Sequence, residues 1–286
     1  MKKLLTVAAT ASLAAVCALS ATACNADDTI EVDTNAFFAP FEYYDDSLNI
    51  VGVDVEIMEL VGEELGKKVN FTNTEFDVII DNVASGKQFD CGAAGITITD
   101  ERKAQVDFSI PYYTSVQYVI YKTGEMTVDG TATGEIPYIL WDQLQGKKIG
   151  VQRNTTGDIY VDGEMSTGEN DAGETTYGAL CNPETGEAYA GTELVKYSSA
   201  PVAVSALGTA IDVIVVDELP AKYLVKSNSG LACAALYYDA DTATEEQYAI
   251  CVTKGNDELL AAINKVLTEL GESGINELVQ KHLGLE

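Results

Sequence analysis

The chain has few cations. Seventeen lysines and arginines stand against 45 aspartates and glutamates, a formal charge of −28 at pH 7 over 286 residues. So acidic a chain repels polyphosphates and anionic headgroups, which argues against nucleic acid or an anionic membrane surface as a partner. Histidine is almost absent as well: His282 is the only one, and no two cysteines are spaced C-x-x-C. A zinc site is therefore not expected, nor is any other metal or cofactor. Long apolar runs are also lacking. The one candidate, Leu4 to Leu19, is short for a membrane span and has no stop-transfer flank.

That run reads instead as part of an export signal. Lys2 and Lys3 form a charged start, the apolar stretch follows, and Ala21-Thr22-Ala23 supplies a small-residue cleavage region before Cys24. Small residues directly before a cysteine resemble the bacterial lipobox, in which the thiol takes a diacylglycerol and becomes the new N-terminus. The expected organisation is a signal peptide at 1–23, lipidation at Cys24 and a short tether at 24–28. The protein would then sit lipid-anchored at the cell membrane, facing the extracellular side or the periplasm. Ala21 departs from the usual leucine of that motif, and ordinary cleavage with Cys24 incidental is the other reading. Removing residues 1–23 takes two lysines and no acid, moving the formal charge from −28 to −30. Export permits disulfides. Cys181 with Cys233 and Cys91 with Cys251 would each pair within one lobe, and free buried thiols fit equally well.

Roughly 260 residues beyond the signal exceed one typical core and point to two lobes. Thr29–Asp33 reads as a strand, followed by an aromatic loop, Phe37 to Tyr44. Asp54–Leu65 carries Val55, Ile57, Met58, Val61 and Leu65 at helical spacing and stops at Gly66. Lys67–Asn73 returns as a strand, Asp77–Ala84 as a helix and Phe89–Ala94 as a strand. This alternation predicts a mainly parallel sheet with helices on both faces, and ligands bind such sheets at the carboxyl ends of the strands. Tyr112–Lys122 is a long extended run suited to cross between lobes, and Tyr248–Thr253 reads as the crossing back. Residues 123–137 read as a loop. Residues 162–192, dense in Gly, Glu, Thr and Asn, read as a surface insertion. Leu259–Leu270 and Ile275–Leu283 read as closing helices. The predicted lobes are 29–115 with 248–286, and 116–247.

Four segments fall on the strand-end edge with complementary chemistry. In Gly95-Ile96-Thr97-Ile98-Thr99-Asp100-Glu101-Arg102, a β-branched run ends where a charged helix begins. Thr99 suits the N-cap, and Asp100 and Glu101 suit the positive end of the helix dipole. Arg102 then lies beside free N–H groups, a place to hold a carboxylate, although a lone arginine can equally pair with a surface acid. Thr155-Thr156-Gly157 adds further N–H groups at a helix start in the second lobe. Asp217 ends an apolar strand, where it can neutralise an ammonium or cap the helix at Pro220. Phe38 and Phe76 offer flat apolar faces. A positive clamp, a negative clamp and aromatic walls together describe a zwitterionic α-amino acid.

The chain here resembles the family 3 bacterial solute-binding proteins, the polar amino-acid receptors of ABC importers, from about Thr29 to Gly284. The motifs that carry the likeness are Asn35-Ala36-Phe37-Phe38-Ala39-Pro40-Phe41-Glu42-Tyr43, Gly52-Val53-Asp54-Val55-Glu56, Phe76-Asp77 and Gly95 to Arg102. Val106-Asp107-Phe108-Ser109-Ile110-Pro111-Tyr112-Tyr113, Gly150-Val151-Gln152, Thr155-Thr156-Gly157-Asp158 and Val216-Asp217-Glu218-Leu219-Pro220 complete it. The resemblance implies an α/β, two-lobe, type II periplasmic-binding-protein-like fold with two extended hinge crossovers, each lobe a mainly parallel sheet flanked by helices. It implies a monomeric receptor whose closed form docks on ABC permease subunits. By the same likeness Arg102 takes the ligand α-carboxylate with the N–H groups of Thr97 and Thr156. Asp217, the Gly95 carbonyl and the Thr97 hydroxyl take the ammonium, Phe38 and Phe76 sandwich the side chain, and Thr155 belongs to the same turn.

Two departures bear on the ligand. Asn35 stands where the family often has an aspartate, which disfavours a strongly cationic side chain. Gln152 stands where some members carry a lysine, in a place to read the ligand's side chain. The competing class is an enzyme like the cyclohexadienyl dehydratases on this fold, acting on arogenate or prephenate. That chemistry needs a cleft acid kept protonated, and Asp217 is the only cleft acid the sequence identifies. A sensory domain is disfavoured because no transmembrane or output segment follows within the sequence to Glu286.

Overall fold

The computed structural model describes residues 28–132, 134–162 and 191–284, with the backbone alone of 168–169 and 175–176. The signal peptide, the Cys24 tether, Cys181 and most of the 162–192 insertion lie outside the described residues. The chain opens with β1 (Thr29–Thr34), followed by a small antiparallel sheet of β2 (Phe37–Phe38), β3 (Glu42–Tyr44) and β4 (Ile50–Val51). Helix α1 (Val53–Leu65) buries Val53, Ile57, Met58 and Val61 on one face and ends at Gly66, whose φ of 64° favours a residue without Cβ. Then come β5 (Lys68–Asn73), a 3-10 turn at Phe76–Val78, α2 (Ile79–Ser85), β6 (Cys91–Gly92), α3 (Asp100–Gln105) and β7 (Asp107–Phe108).

Strand β8 (Tyr113–Lys122), ten residues long, leaves this lobe and becomes the middle strand of a second sheet. That sheet continues with β9 (Gly130–Ala132), β10 (Ile136–Leu140), β11 (Lys148–Gln152) and α4 (Thr156–Asp162). The backbone pair β12 (Gly168–Glu169) and β13 (Thr175–Thr176) follows, then β14 (Glu193–Tyr197), α5 (Ala200–Ala206), β15 (Val213–Asp217), α6 (Glu218–Ser227), β16 (Leu231–Asp239) and β17 (Thr242–Ala243). Strand β18 (Glu245–Tyr248) runs back antiparallel to the first part of β8, with Tyr248 opposite Tyr113. β19 (Cys251–Val252) and α7 (Asp257–Leu283) then complete the first lobe. Gly271 interrupts α7 with φ 57° and ψ −176°, dividing it into the two closing helices the spacing predicts.

The first sheet has the order β5-β1-β6-β19-β7, with β19 alone reversed; the second runs β14-β11-β15-β8-β16-β10-β9, with β8 and β9 reversed. Each is mainly parallel and flanked by helices, and two extended crossings join the lobes. β15 shows why its sequence is apolar throughout. Val213 and Val215 pack with Trp141 and Ile149 on one face, while Ile214 and Val216 pack with Ala203 and Leu224 on the other. The first-lobe core gathers Val32, Phe41, Ile57, Val61, Ile250 and Ile263.

Some sequence expectations need correction. The return crossing is 245–248, and 251–252 already belongs to the first sheet. Residues 123–137 contain β9 and the start of β10 at the sheet edge, where a polar Gly/Thr stretch leaves no apolar pattern. The Phe89–Ala94 strand shortens to Cys91–Gly92. Cys91 and Cys251 sit on adjacent strands as free thiols, so that pair is not formed; Cys233 is also free, and its proposed partner Cys181 lies outside the described residues.

Candidate functional site: an enclosed cleft between the lobes

The carboxyl ends of β1, β6, β11 and β15 meet around a narrow cleft between the lobes. Phe38, Phe76, Gly95, Thr97, Gln152, Thr155, Thr156 and Asp217 line it, together with Asn35 and Ala94. Arg102, the remaining expected residue, lies just behind the wall.

Thr99 caps α3 as its sequence predicts, its hydroxyl accepting the Arg102 N–H at 3.1 Å. This places the Arg102 side chain inside the protein, 4% exposed. It takes no ion pair among the described residues, so it is not a surface-acid partner. Nη1 donates to the Thr97 carbonyl at 2.9 Å, and Nη2 donates to the Asn154 carbonyl of the second lobe at 2.7 Å. The guanidinium carbon lies 5.5 Å from the centre of the Phe76 ring. Burial lowers its pKa and the carboxylates of Glu246 and Asp217 oppose that shift; an arginine stays charged here.

Asp217 occupies the N-cap position of α6 but makes no side-chain cap bond. Its Oδ1 accepts instead from Gln117 Nε2 at 2.9 Å and from the Tyr248 hydroxyl at 2.7 Å. The same Gln117 Nε2 donates to Glu246 Oε1 at 2.5 Å, and the Thr97 hydroxyl lies 2.5 Å from Glu246 Oε2. The reading of Asp217 as the sole acid at the cleft is therefore corrected: Glu246, on the return crossing, is a second. Burial, with Glu246 beside it, pushes the Asp217 carboxyl well above the usual carboxylate range. A cation arriving in the cleft acts in the opposite direction.

Gly95 turns with φ 55° and donates its N–H to Asp54 Oδ2 at 2.9 Å. A Cβ on Gly95 would lie 2.5 Å from Phe38 Cε1, so the ring packs directly on the turn. Burial raises Asp54 to about 6 even though Tyr112 and Gly95 donate to it. Glu42, behind it, is raised well above normal by burial and by the Asp54 charge. Among the described residues, neither Glu42 oxygen accepts an N–H or O–H donor. A protonated Glu42 donating to Asp54 satisfies both groups. At the far end of the cleft, Gln152 Nε2 donates to Asn35 Oδ1 at 3.0 Å, and Asn35 Nδ2 donates to the Thr74 carbonyl at 2.6 Å.

Glu246, Gln117 and the Asn154 carbonyl were not identified from the sequence. Residues Glu245 to Tyr248 alternate exposed and buried, so Glu246 shares an inward face with Tyr248. That period of two was the available signal.

The sequence pattern of the bacterial extracellular solute-binding proteins, family 3, matches residues 30–285. The chain belongs to this family. A probable histidine-binding protein of Neisseria gonorrhoeae is 27% identical over 256 residues, covering 89% of this chain and 82% of that protein. The L-cystine-binding protein TcyJ of Escherichia coli is 26% identical over 261 residues, covering 90% and 84%. Among solved structures, the amino acid ABC transporter substrate-binding protein AbpA of Streptococcus pneumoniae, bound to L-arginine, superposes with a TM-score of 0.71 at 25% identity, covering 91% and 96%. An ancestral arginine-binding protein bound to glutamine gives 0.69 at 31%, covering 90% and 98%. This family 3 protein is accordingly a solute-binding protein of the ABC-transporter type, not an enzyme. No helix among the described residues is long and apolar enough to cross a membrane.

Proposed function

We propose that this family 3 protein captures a zwitterionic polar amino acid between its lobes and delivers it to the permease of an ABC importer, tethered as a monomer by a lipid on Cys24. One observation carries the reading: the buried Asp217 carboxyl lines the cleft from the second lobe, and the buried Arg102 guanidinium of the first lobe lies at its edge, bonded across the lobes to the Asn154 carbonyl. Arg102 takes the α-carboxylate together with the N–H groups of Thr97 and Thr156. Asp217, the Thr97 hydroxyl and the Gly95 carbonyl take the ammonium, and Phe38 and Phe76 flank the side chain. Hydrogen bonds to charged groups contribute about 1.5–3 kcal/mol each. Three or four of them reach the roughly 8 kcal/mol of a micromolar complex after ordering costs.

The lobes 29–115 with 248–286, and 116–247, hinge about the paired crossings β8 and β18. Because ligand contacts come from both lobes, ligand affinity stabilises the closed form that docks on the permease. A thermal-shift screen against the twenty amino acids and cystine tests the reading. A ligand at about 100 times its Kd adds roughly 2.7 kcal/mol of stability. If none of them stabilises the protein, the reading is wrong.

A further inference from the structure

The far end of the cleft carries polarity without charge. Asn35 and Gln152 are 2% and 5% exposed, so whatever touches them is itself desolvated. The Thr74 carbonyl accepts Asn35 Nδ2 at 2.6 Å, which fixes that amide and turns its oxygen toward Gln152. Gln152 gives Asn35 one of its two amide protons. Among the described residues its other proton and its Oε1 take no protein partner, and Gln152 lines the cleft. The wall thus presents both a donor and an acceptor.

Among the described residues, the acids flanking Phe76 and Asn35 already have partners. Glu75 and Asp77, the acids flanking Phe76, both face Arg153, at 3.7 and 3.1 Å. Asp33, two residues before Asn35, is held away by the Thr74 hydroxyl at 2.7 Å and Asn82 Nδ2 at 2.8 Å. Among the described residues, the cation against the Phe76 ring is the Arg102 guanidinium, 5.5 Å from its centre.

From this juxtaposition we infer that the cleft selects an amino acid with an uncharged, hydrogen-bonding side chain and turns cationic side chains away, an inference that rests on the amino-acid reading above. An amide or hydroxyl satisfies Gln152 on entry. A guanidinium or ammonium is buried without a counter-ion and beside a like charge, which proteins avoid. A hydrocarbon side chain leaves the Gln152 groups unmatched, and sites built for hydrogen bonding reject such analogues strongly.

Calorimetric titration of the exported protein with L-glutamine, L-asparagine, L-serine, L-threonine, L-arginine, L-lysine, L-glutamate and L-leucine tests this. One of the first four is expected to bind at least about 100-fold more tightly than arginine, lysine, glutamate or leucine. Asn35→Asp, and separately Gln152→Glu, should shift the arginine-to-glutamine affinity ratio at least about tenfold toward arginine, by adding the missing counter-charge. A charged or hydrocarbon ligand binding tightest overturns the inference and leaves the amino-acid reading standing. So does an unchanged ratio in whichever variant retains the wild-type circular dichroism. Silence from all eight overturns the inference, and the amino-acid reading falls with it only if the screen of all twenty amino acids and cystine is silent as well.

Discussion

The hydroxyls of Thr97 and Thr156 lie 2.6 Å apart, joining the first-lobe segment between β6 and α3 to the first turn of a second-lobe helix. The Thr97 hydroxyl also lies 2.5 Å from Glu246 Oε2. It carries one proton, so at least one of these partners must donate to it. That places Thr97 where the two lobes and the return crossing meet, next to the proposed ammonium position.

Replacing Thr97 with valine keeps the shape and removes the hydroxyl. Thr97→Val should weaken binding of the best amino acid by roughly 10- to 150-fold, the equivalent of one charged hydrogen bond. Titration calorimetry measures this, with circular dichroism confirming an unchanged fold. Wild-type affinity in the variant would remove Thr97 from the site.

The two clamps should fail in distinguishable ways. Arg102→Ala should abolish the ligand-induced thermal shift. Asp217→Asn should abolish it as well, while raising the melting temperature of the free protein, because the burial that pushes the Asp217 carboxyl upward is relieved when the group can no longer ionise. Thermal melts with and without ligand read both effects. Full ligand stabilisation in either variant would show that its clamp is misassigned.

Glu42 and Asp54 predict a pH dependence. Both carboxyls are raised on folding, so the folded chain holds protons that the unfolded chain has lost. Their stabilisation is complete below the unfolded pKa and is lost as pH rises, for Asp54 between 3.8 and about 6 and for Glu42 over a window extending higher. Glu42→Gln keeps a donor facing Asp54 and removes the Glu42 contribution to that loss. The melting temperature of the variant relative to wild type should therefore climb from pH 4 to pH 8. A difference that stays flat or falls would contradict the assignment of a proton to Glu42.

Gly95→Ala should be costly on two counts. Its φ of 55° is unfavourable for alanine, and the new Cβ would lie 2.5 Å from Phe38 Cε1. Left-handed strain and overpacking together amount to about 2–4 kcal/mol. Denaturant unfolding should show that loss, with ligand affinity falling because Phe38 must move. A loss below about 0.5 kcal/mol, the scale of an ordinary surface substitution, would mean that the turn adapts.

Much of this was legible in the sequence where one pattern had one cause. The apolar spacing of α1 with Gly66 after it, the Thr99 cap, and the uninterrupted β15 ending in Asp217 each specify an element and its direction. Eight of the nine expected cleft residues line one cavity, and Arg102 reaches its edge. What stayed hidden depends on strands that meet only in three dimensions. Gln117 sits in a long run from which any inward residue could have faced the cleft. Glu246 lies in a polar stretch whose alternation appears only once Tyr248 is known to point inward. The edge strand β9 carries no such signal, because Gly130–Ala132 has no large apolar residue to mark a face.

The most direct measurement is a crystal structure of the protein with its tightest-binding amino acid. The α-carboxylate should lie on the Arg102 guanidinium and the N–H groups of Thr97 and Thr156, with the ammonium on Asp217 and the side chain directed at Asn35 and Gln152. An amino acid bound the other way round would contradict the account. So would one seated outside the cleft, for instance in the surface groove between Phe37 and Tyr44 of the first lobe and Pro201 and Tyr223 of the second.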